Sequence, residues 1–146
     1  MIFDLKKNID NFVKTTINDK NDKNLNIFPL DCKYINDFRR QKLEERIKIS
    51  QKIISKYPQR VPIIVDCKQE IILDKNKYIV PNDLTVAQFM YILKKRINVN
   101  EQKSIFLLCN NQLVICTESI NSLFNRQKDY DGFLYIIISL ENTFGN

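Results

Sequence analysis

The chain has 146 residues, 44% apolar and 27% charged, enough for one domain with a real core and too apolar for a disordered chain. It contains no histidine and only two glycines, which excludes Ser-His-Asp and Cys-His catalysis, histidine-containing metal sites and glycine-rich phosphate loops. The formal charge is +6, and the whole surplus falls in residues 38–60, where eight basic side chains face Glu44 and Glu45 alone; residues 1–37 and 61–146 are each balanced.

That basic stretch reads either as a solvated helix face or as a surface for acidic partners or anionic membranes. A nucleic-acid role is not expected, because Tyr57 is the only aromatic within it placed for stacking. The four cysteines, Cys32, Cys67, Cys109 and Cys116, have no CxxC spacing, so no zinc site is expected. They are predicted to be buried thiols in a reducing compartment rather than a disulfide. No apolar run reaches the ~18 residues of a membrane span. The start, MIFDLKKNIDNF, is too mixed for a signal peptide, so a cytoplasmic protein is expected.

Ile2, Leu5, Ile9, Val13 and Ile17 recur at helical spacing, and NDKNDKN at 18–24 reads as a linker. A helix is predicted over 38–56, with Leu43, Ile47 and Ile54 on one stripe and Ile49 and Ile53 beside it. Pro58 closes it, since its ring disfavours helix at Tyr57. Strands follow at 61–66 (VPIIVD) and 77–80 (KYIV), with Ile71-Ile72-Leu73 in the connection expected to close that strand pair. Thr85 and Gln88 form a capping box, after which Val86, Phe89, Met90, Leu93 and Ile97 give a core-facing helix. A strand at 104–109, an Asn110-Asn111 turn, a continuation to Cys116 and a helix at 118–127 precede the last strand, Phe133–Leu140. That strand is apolar on both faces, so both need cover: the 85–97 helix on one, the 38–56 helix on the other.

Strand, strand, helix, strand, short helix, strand is the order of an α+β, ubiquitin-like β-grasp with additional N-terminal helices. The division expected is 1–37 as a partly helical extension, 38–60 as a basic helical subdomain, 61–141 as the β-grasp and 142–146 as a flexible tail. The segments YPQRVPIIVD, DKNKYIVPNDLTVAQF, KKRI, DYDGFLY and TFG, in that order, resemble the autophagy ubiquitin-like modifiers, the microtubule-associated protein light chains and GABA-receptor-associated proteins. The resemblance covers about residues 38–145.

The resemblance implies a modifier with no enzymatic activity and no cofactor. A cysteine protease would cut after Gly145 and remove Asn146. E1-like and E2-like enzymes would then pass the Gly145 carboxylate to phosphatidylethanolamine on autophagosome-type membranes. It also implies recruitment of cargo receptors and autophagy factors carrying aromatic-x-x-aliphatic motifs, which add a strand to Lys77–Val80. The positions that match the aromatic pocket are Ile53, Pro62, Ile64, Lys77, Ile79 and Phe133. Those that match the aliphatic pocket are Tyr78, Val80, Pro81, Leu84, Phe89 and Ile92. Arg60 matches an electrostatic contact to acidic residues that flank the motif. One position departs: the family usually has an acidic residue one turn before Ile53, where this chain has Ile49. The alternative expectation is an adaptor or organelle-maintenance protein that uses the same groove and is never conjugated.

Overall fold

The computed structural model describes residues 28–68, 71–100 and 102–140. The expected helix at 2–17, the linker at 18–24 and the tail at 142–146 lie outside the described residues. Among the described residues two helices come first, α1 (Lys33–Phe38) and α2 (Leu43–Lys56), then β1 (Arg60–Cys67), β2 (Lys77–Pro81) and α3 (Val86–Lys94). β3 (Phe106–Cys109), β4 (Gln112–Leu113), α4 (Ile120–Gln127) and β5 (Leu134–Ser139) follow.

The five strands form one sheet in the order β2-β1-β5-β3-β4. β1 and β2 are antiparallel, β1 and β5 parallel, and β5, β3 and β4 antiparallel in turn. The two-sided last strand puts its residues where the alternation requires. Leu134, Ile136 and Ile138 join Val61, Ile63, Val65, Phe89 and Leu93 in the larger core under α3 and α4. Phe133, Tyr135 and Ile137 join Ile64, Ile35 and Phe38 on the opposite face. Local signals set the ends. Thr85 Oγ1 accepts from the Gln88 N–H while the Gln88 side chain accepts from the Thr85 N–H, and Ser119 Oγ accepts from the Ser122 N–H to cap α4. Asn110 and Asn111 take φ of 51° and 62°, the left-handed pair that a two-residue hairpin needs between β3 and β4.

Several boundaries differ from the sequence reading. The helix predicted over 38–56 begins at Leu43, because residues 39–42 make a turn and Phe38 ends a separate helix. On α2 the fully buried positions are Ile47 and Ser50, while Leu43, Ile49, Ile53 and Ile54 are half-buried. Ile71–Leu73 does not close the β1–β2 pair. Leu73 bridges Ile97, and Ile72 exchanges hydrogen bonds with Asn98, so this loop straps the end of α3 instead. β4 stops at Leu113. Cys32, Cys67 and Cys109 are buried free thiols, each pushed up to about 12 by burial, whereas Cys116 is exposed.

Residues 28–38 pack as part of the domain. Phe28, Cys32, Ile35 and Phe38 are all buried against the α2-side face of the sheet. Two carboxylates tie them down. Asp66, near the end of β1, accepts from the Ile35 N–H (3.0 Å) and so caps α1 from outside the helix. Asp131 is fully buried beside Gly132, whose φ is +88°. Its carboxylate accepts from Arg46 (2.7 Å), from the Phe133 N–H (2.8 Å) and from the Tyr135 hydroxyl. Ser50 donates to its carbonyl. Arg39 lies 3.8 Å away, pairs with Asp129 (3.2 Å), and stacks between the rings of Phe28 (5.1 Å) and Tyr135 (5.0 Å). A Cβ on Gly132 would sit 2.5 Å from Ser50 Oγ, so the turn and α2 fit only with glycine there.

Burial, then the charge of Asp129, raises the pKa of Asp131 to about 6. A carboxyl raised on folding stabilises the native state fully below its unfolded value of 3.8, and that contribution is lost as pH rises through about 6. Asp131→Asn should abolish this pH component of stability between 4 and 6. Asp131→Ala should cost about 3–5 kcal/mol at neutral pH, because it leaves the buried Arg46 Nη1 and the Tyr135 hydroxyl without the carboxylate that accepts from both. Urea unfolding at several pH values measures both, and a loss under about 1 kcal/mol for the Ala variant would show the cluster to be unimportant.

Candidate functional site

β2 is an edge strand, and its register decides what it offers. The Val65 N–H donates to the Asn76 carbonyl (2.8 Å) and the Asn82 N–H to the Gln59 carbonyl (2.9 Å). Val61 pairs with Val80 and Ile63 with Tyr78. Antiparallel alternation therefore turns the backbone of Tyr78 and Val80 inward to β1, and that of Lys77 and Ile79 outward to the free edge. Pro81, the next outward position, has no N–H to offer. The strand thus presents two N–H donors and a short row of carbonyls, a template for one more strand.

Side-chain alternation divides the predicted residues between the two sides of this edge. On the α2 side, Pro62 pairs with Ile79 and Ile64 with Lys77. Ile64 and Phe133 lie in the core beneath, and Ile53 of α2 packs against it. Ile64 and Phe133 are buried and form a floor, while Lys77 and Ile79 are exposed and form the rim. On the α3 side, Tyr78 meets Phe89 edge-on, ring centroids 5.5 Å apart. Tyr78, Val80 and Phe89 are buried, Leu84 half-buried and Ile92 exposed; Pro81, half-buried and paired with Arg60, falls by the same alternation with Lys77 and Ile79 rather than with its predicted group. The Tyr78 hydroxyl is buried with no hydrogen-bond partner among the described residues, and burial pushes its pKa up to about 12. Apart from Pro81, the structure therefore brings the two groups of residues to opposite flanks of one strand, each with an apolar floor and a partly open rim.

Charge borders the α2 side. Lys56 and Arg60 both lie over the Tyr57 ring, at 5.5 Å and 5.8 Å, and all three residues are exposed. Lys77 Nζ sits 5.5 Å from the ring centroid of Phe38, which itself packs edge-on against Phe133 (5.1 Å). A cavity of about 310 Å³ opens here, lined by Tyr34, Asp37, Phe38, Gln41 and Lys77. The four lining residues before Lys77 were not among the predicted site residues. The signal that could have found them is Ile35 and Phe38, three apart and apolar, which mark a helix turn laid on the sheet. Among the described residues no group of His, Cys, Asp and Glu side chains is arranged to hold a metal ion, and no helix is long and apolar enough to cross a membrane.

Ile49 is half-buried and packs on the same apolar cluster as Ile53. If this side takes the aromatic residue of a motif, an aliphatic side chain at 49 offers no acceptor to a phenolic hydroxyl, and Phe- or Trp-anchored motifs should bind better than Tyr-anchored ones. Ile49→Glu should raise the affinity for a Tyr-anchored peptide relative to its Phe twin by about threefold or more, the worth of one exposed hydrogen bond. Fluorescence anisotropy reads this, and an unchanged ratio would remove Ile49 from the pocket.

The parallel β1–β5 pair flanked by a hairpin on each side, with a helix crossing the sheet, defines a ubiquitin-like α+β fold. The family described as "Autophagy protein Atg8 ubiquitin like" matches residues 45–145. The chain belongs to this Atg8 family of ubiquitin-like autophagy proteins. It is similar to Autophagy-related protein 8e of Arabidopsis thaliana, 45% identical over 122 residues, covering 82% of this chain and 93% of that one. Autophagy-related protein 8 of Schizosaccharomyces pombe is 44% identical over 105 residues, covering 70% and 87%. The crystal structure of Trypanosoma brucei ATG8 superposes with a TM-score of 0.65 at 32% identity, covering 68% of this chain and 88% of that one.

Proposed function

We propose that this protein is a non-enzymatic modifier, conjugated through Gly145 to phosphatidylethanolamine on autophagic membranes, where it recruits proteins bearing aromatic-x-x-aliphatic motifs. The observation that carries the reading is the outward-facing Lys77–Ile79 edge, with apolar side chains on each flank. A strand added there gains main-chain hydrogen bonds, and its alternate side chains fall into the two recesses. Filling each recess contributes roughly 1.5–3 kcal/mol from burial, which after ordering costs gives micromolar affinity.

Conjugation rests on family membership and on the tail sequence TFG-Asn146. Removal of Asn146 by a cysteine protease exposes the glycyl carboxylate, and E1-like and E2-like enzymes carry it to the lipid amine. Two acyl chains at about 0.8 kcal/mol per buried CH₂ hold a protein on a bilayer where one chain is marginal. The protein would then divide between the cytoplasm and autophagosome-type membranes. Mass spectrometry of the protein from cells tests the reading. Loss of Asn146 with a diacyl phospholipid adduct is expected; a chain that always keeps Asn146 and carries no lipid would make it a free adaptor.

A further inference from the structure

The cavity of about 310 Å³ beside Lys77 lies at the start of β2 and shares only that residue with the predicted pockets. Its place follows from the register. Ile64 of β1 pairs with Lys77, and Asp66, two residues further along β1, caps α1 through the Ile35 N–H. α1 therefore lies just beyond Lys77, on the face of the sheet that carries Ile64 and Phe133. Phe38 gives the cavity an apolar floor, buried and edge-on to Phe133 (5.1 Å), with Lys77 Nζ 5.5 Å from its ring centroid. Tyr34 and Asp37 of α1 and Gln41 of the following turn form a polar rim, Tyr34 half-buried and the other two exposed. A full charge of either sign meets its like here: Asp37 opposes an anion, while Lys77 and Arg40, which lies 3.5 Å from Asp37, oppose a cation. An aliphatic side chain would cover the polar rim and leave it unpaired. A neutral ring that carries a donor suits both parts, apolar in its body and polar at its tip.

We propose that this cavity is a third subsite of the groove, which takes a Tyr or Trp side chain two residues before the aromatic of the motif. This inference rests on the reading of the β2 edge as a peptide groove. In that reading the aromatic lies beside Lys77 and Ile79, and the aliphatic residue further along, beside Val80 and Leu84. The peptide then runs parallel to β2, and the residues before its motif pass α1. Side chains two apart on a strand share a face and stand about 7 Å from each other, so the second residue before the aromatic falls beyond Lys77, over Phe38. Its ring packs on the Phe38 floor against the Lys77 ammonium, and its hydroxyl or indole N–H donates to the Asp37 carboxylate or the Gln41 side-chain carbonyl.

Synthetic peptides with one aromatic-x-x-aliphatic core and uncharged flanks test it by titration against the full chain. Three carry Tyr, Phe or Ala two residues before the aromatic, and a fourth carries Tyr one residue before it. The Tyr peptide should bind about three- to tenfold tighter than the Ala peptide, the scale of a ring contact with an exposed cation plus one hydrogen bond, with Phe between them. A double variant, Asp37→Ala with Gln41→Ala, should bring the Tyr peptide down to the level of Phe and leave the Ala peptide unchanged. Both side chains are exposed, so the variant folds, which the unfolding midpoint verifies. Magnetisation transfer between the peptide's Tyr ring and the Phe38 ring should place the two in contact. Tyr and Ala peptides that bind alike overturn the subsite. So does an equal gain from Tyr one residue before the aromatic, where alternation turns it to the α3 side. A Tyr advantage over Phe that survives the double variant overturns the assignment of the rim. If no peptide binds, the Ala one included, the groove reading is what fails, and the subsite falls with it.

Discussion

Gly145→Ala should abolish recovery of the protein with membranes while leaving the folded domain unchanged. Among the described residues, β5 ends at Ser139 and Leu140 is the last side chain that packs against the core. The described core is built without Gly145, five residues further on. The effect is on chemistry done to the tail. A chain end that must lie in the cleft of a protease and then react as a thioester needs close backbone approach and an unhindered acyl carbon, and a Cβ obstructs both. Without conjugation the two acyl chains are absent, and with them nearly all of the membrane free energy at about 0.8 kcal/mol per CH₂. Flotation of cell extracts, with the unfolding midpoint as control, reads both halves. A Gly145→Ala protein that still floats with membranes would show that another part of the chain, such as the basic face of α2, holds it there.

The two-faced last strand was legible because apolar residues at every position from Phe133 to Ile138 leave no polar side to give to solvent. The α3 capping box was legible because Thr85 and Gln88 interact within one turn. What escaped notice depends on residues distant in sequence. Arg46 and Asp131 are 85 positions apart, and in the sequence Arg46 is one more cation in a basic stretch. Nothing local shows that it turns inward while Lys48 and Lys52 stay out. The same holds for Arg39, whose place between Phe28 and Tyr135 exists only once α1 has docked. The division of the pocket residues came from the resemblance, and period-two alternation on β2 agrees with it except at Pro81; which backbone groups face outward could not be read. That depends on the hydrogen-bonded pairs with β1, and a shift by one residue would exchange Tyr78 and Ile79.

Ile79→Pro uses that register and should separate folding from docking. Proline costs a strand most where its missing N–H belonged to a ladder bond, and least at an edge position whose N–H faces solvent. The Ile79 N–H is of the second kind, and Tyr78 before it is already extended, the conformation proline demands of its neighbour. The variant should therefore fold, whereas Tyr78→Pro would break the bond to Ile63 and cost about 3 kcal/mol or more. For a docked peptide the order of severity reverses. Within β2 only Lys77 and Ile79 aim an N–H at the free edge, since Pro81 has none, so Ile79→Pro removes one of the two. A peptide carbonyl left buried without its donor loses about 1–3 kcal/mol, and the pyrrolidine ring projects into the space the peptide backbone would fill. A fall in affinity of about thirtyfold or more is expected for any aromatic-x-x-aliphatic peptide, with Ile79→Val, which keeps both the N–H and an aliphatic rim, within about threefold of the unaltered protein. Should Ile79→Pro bind as well as Ile79→Val, the peptide does not add a strand to β2, and the recesses on either side of it serve only as core.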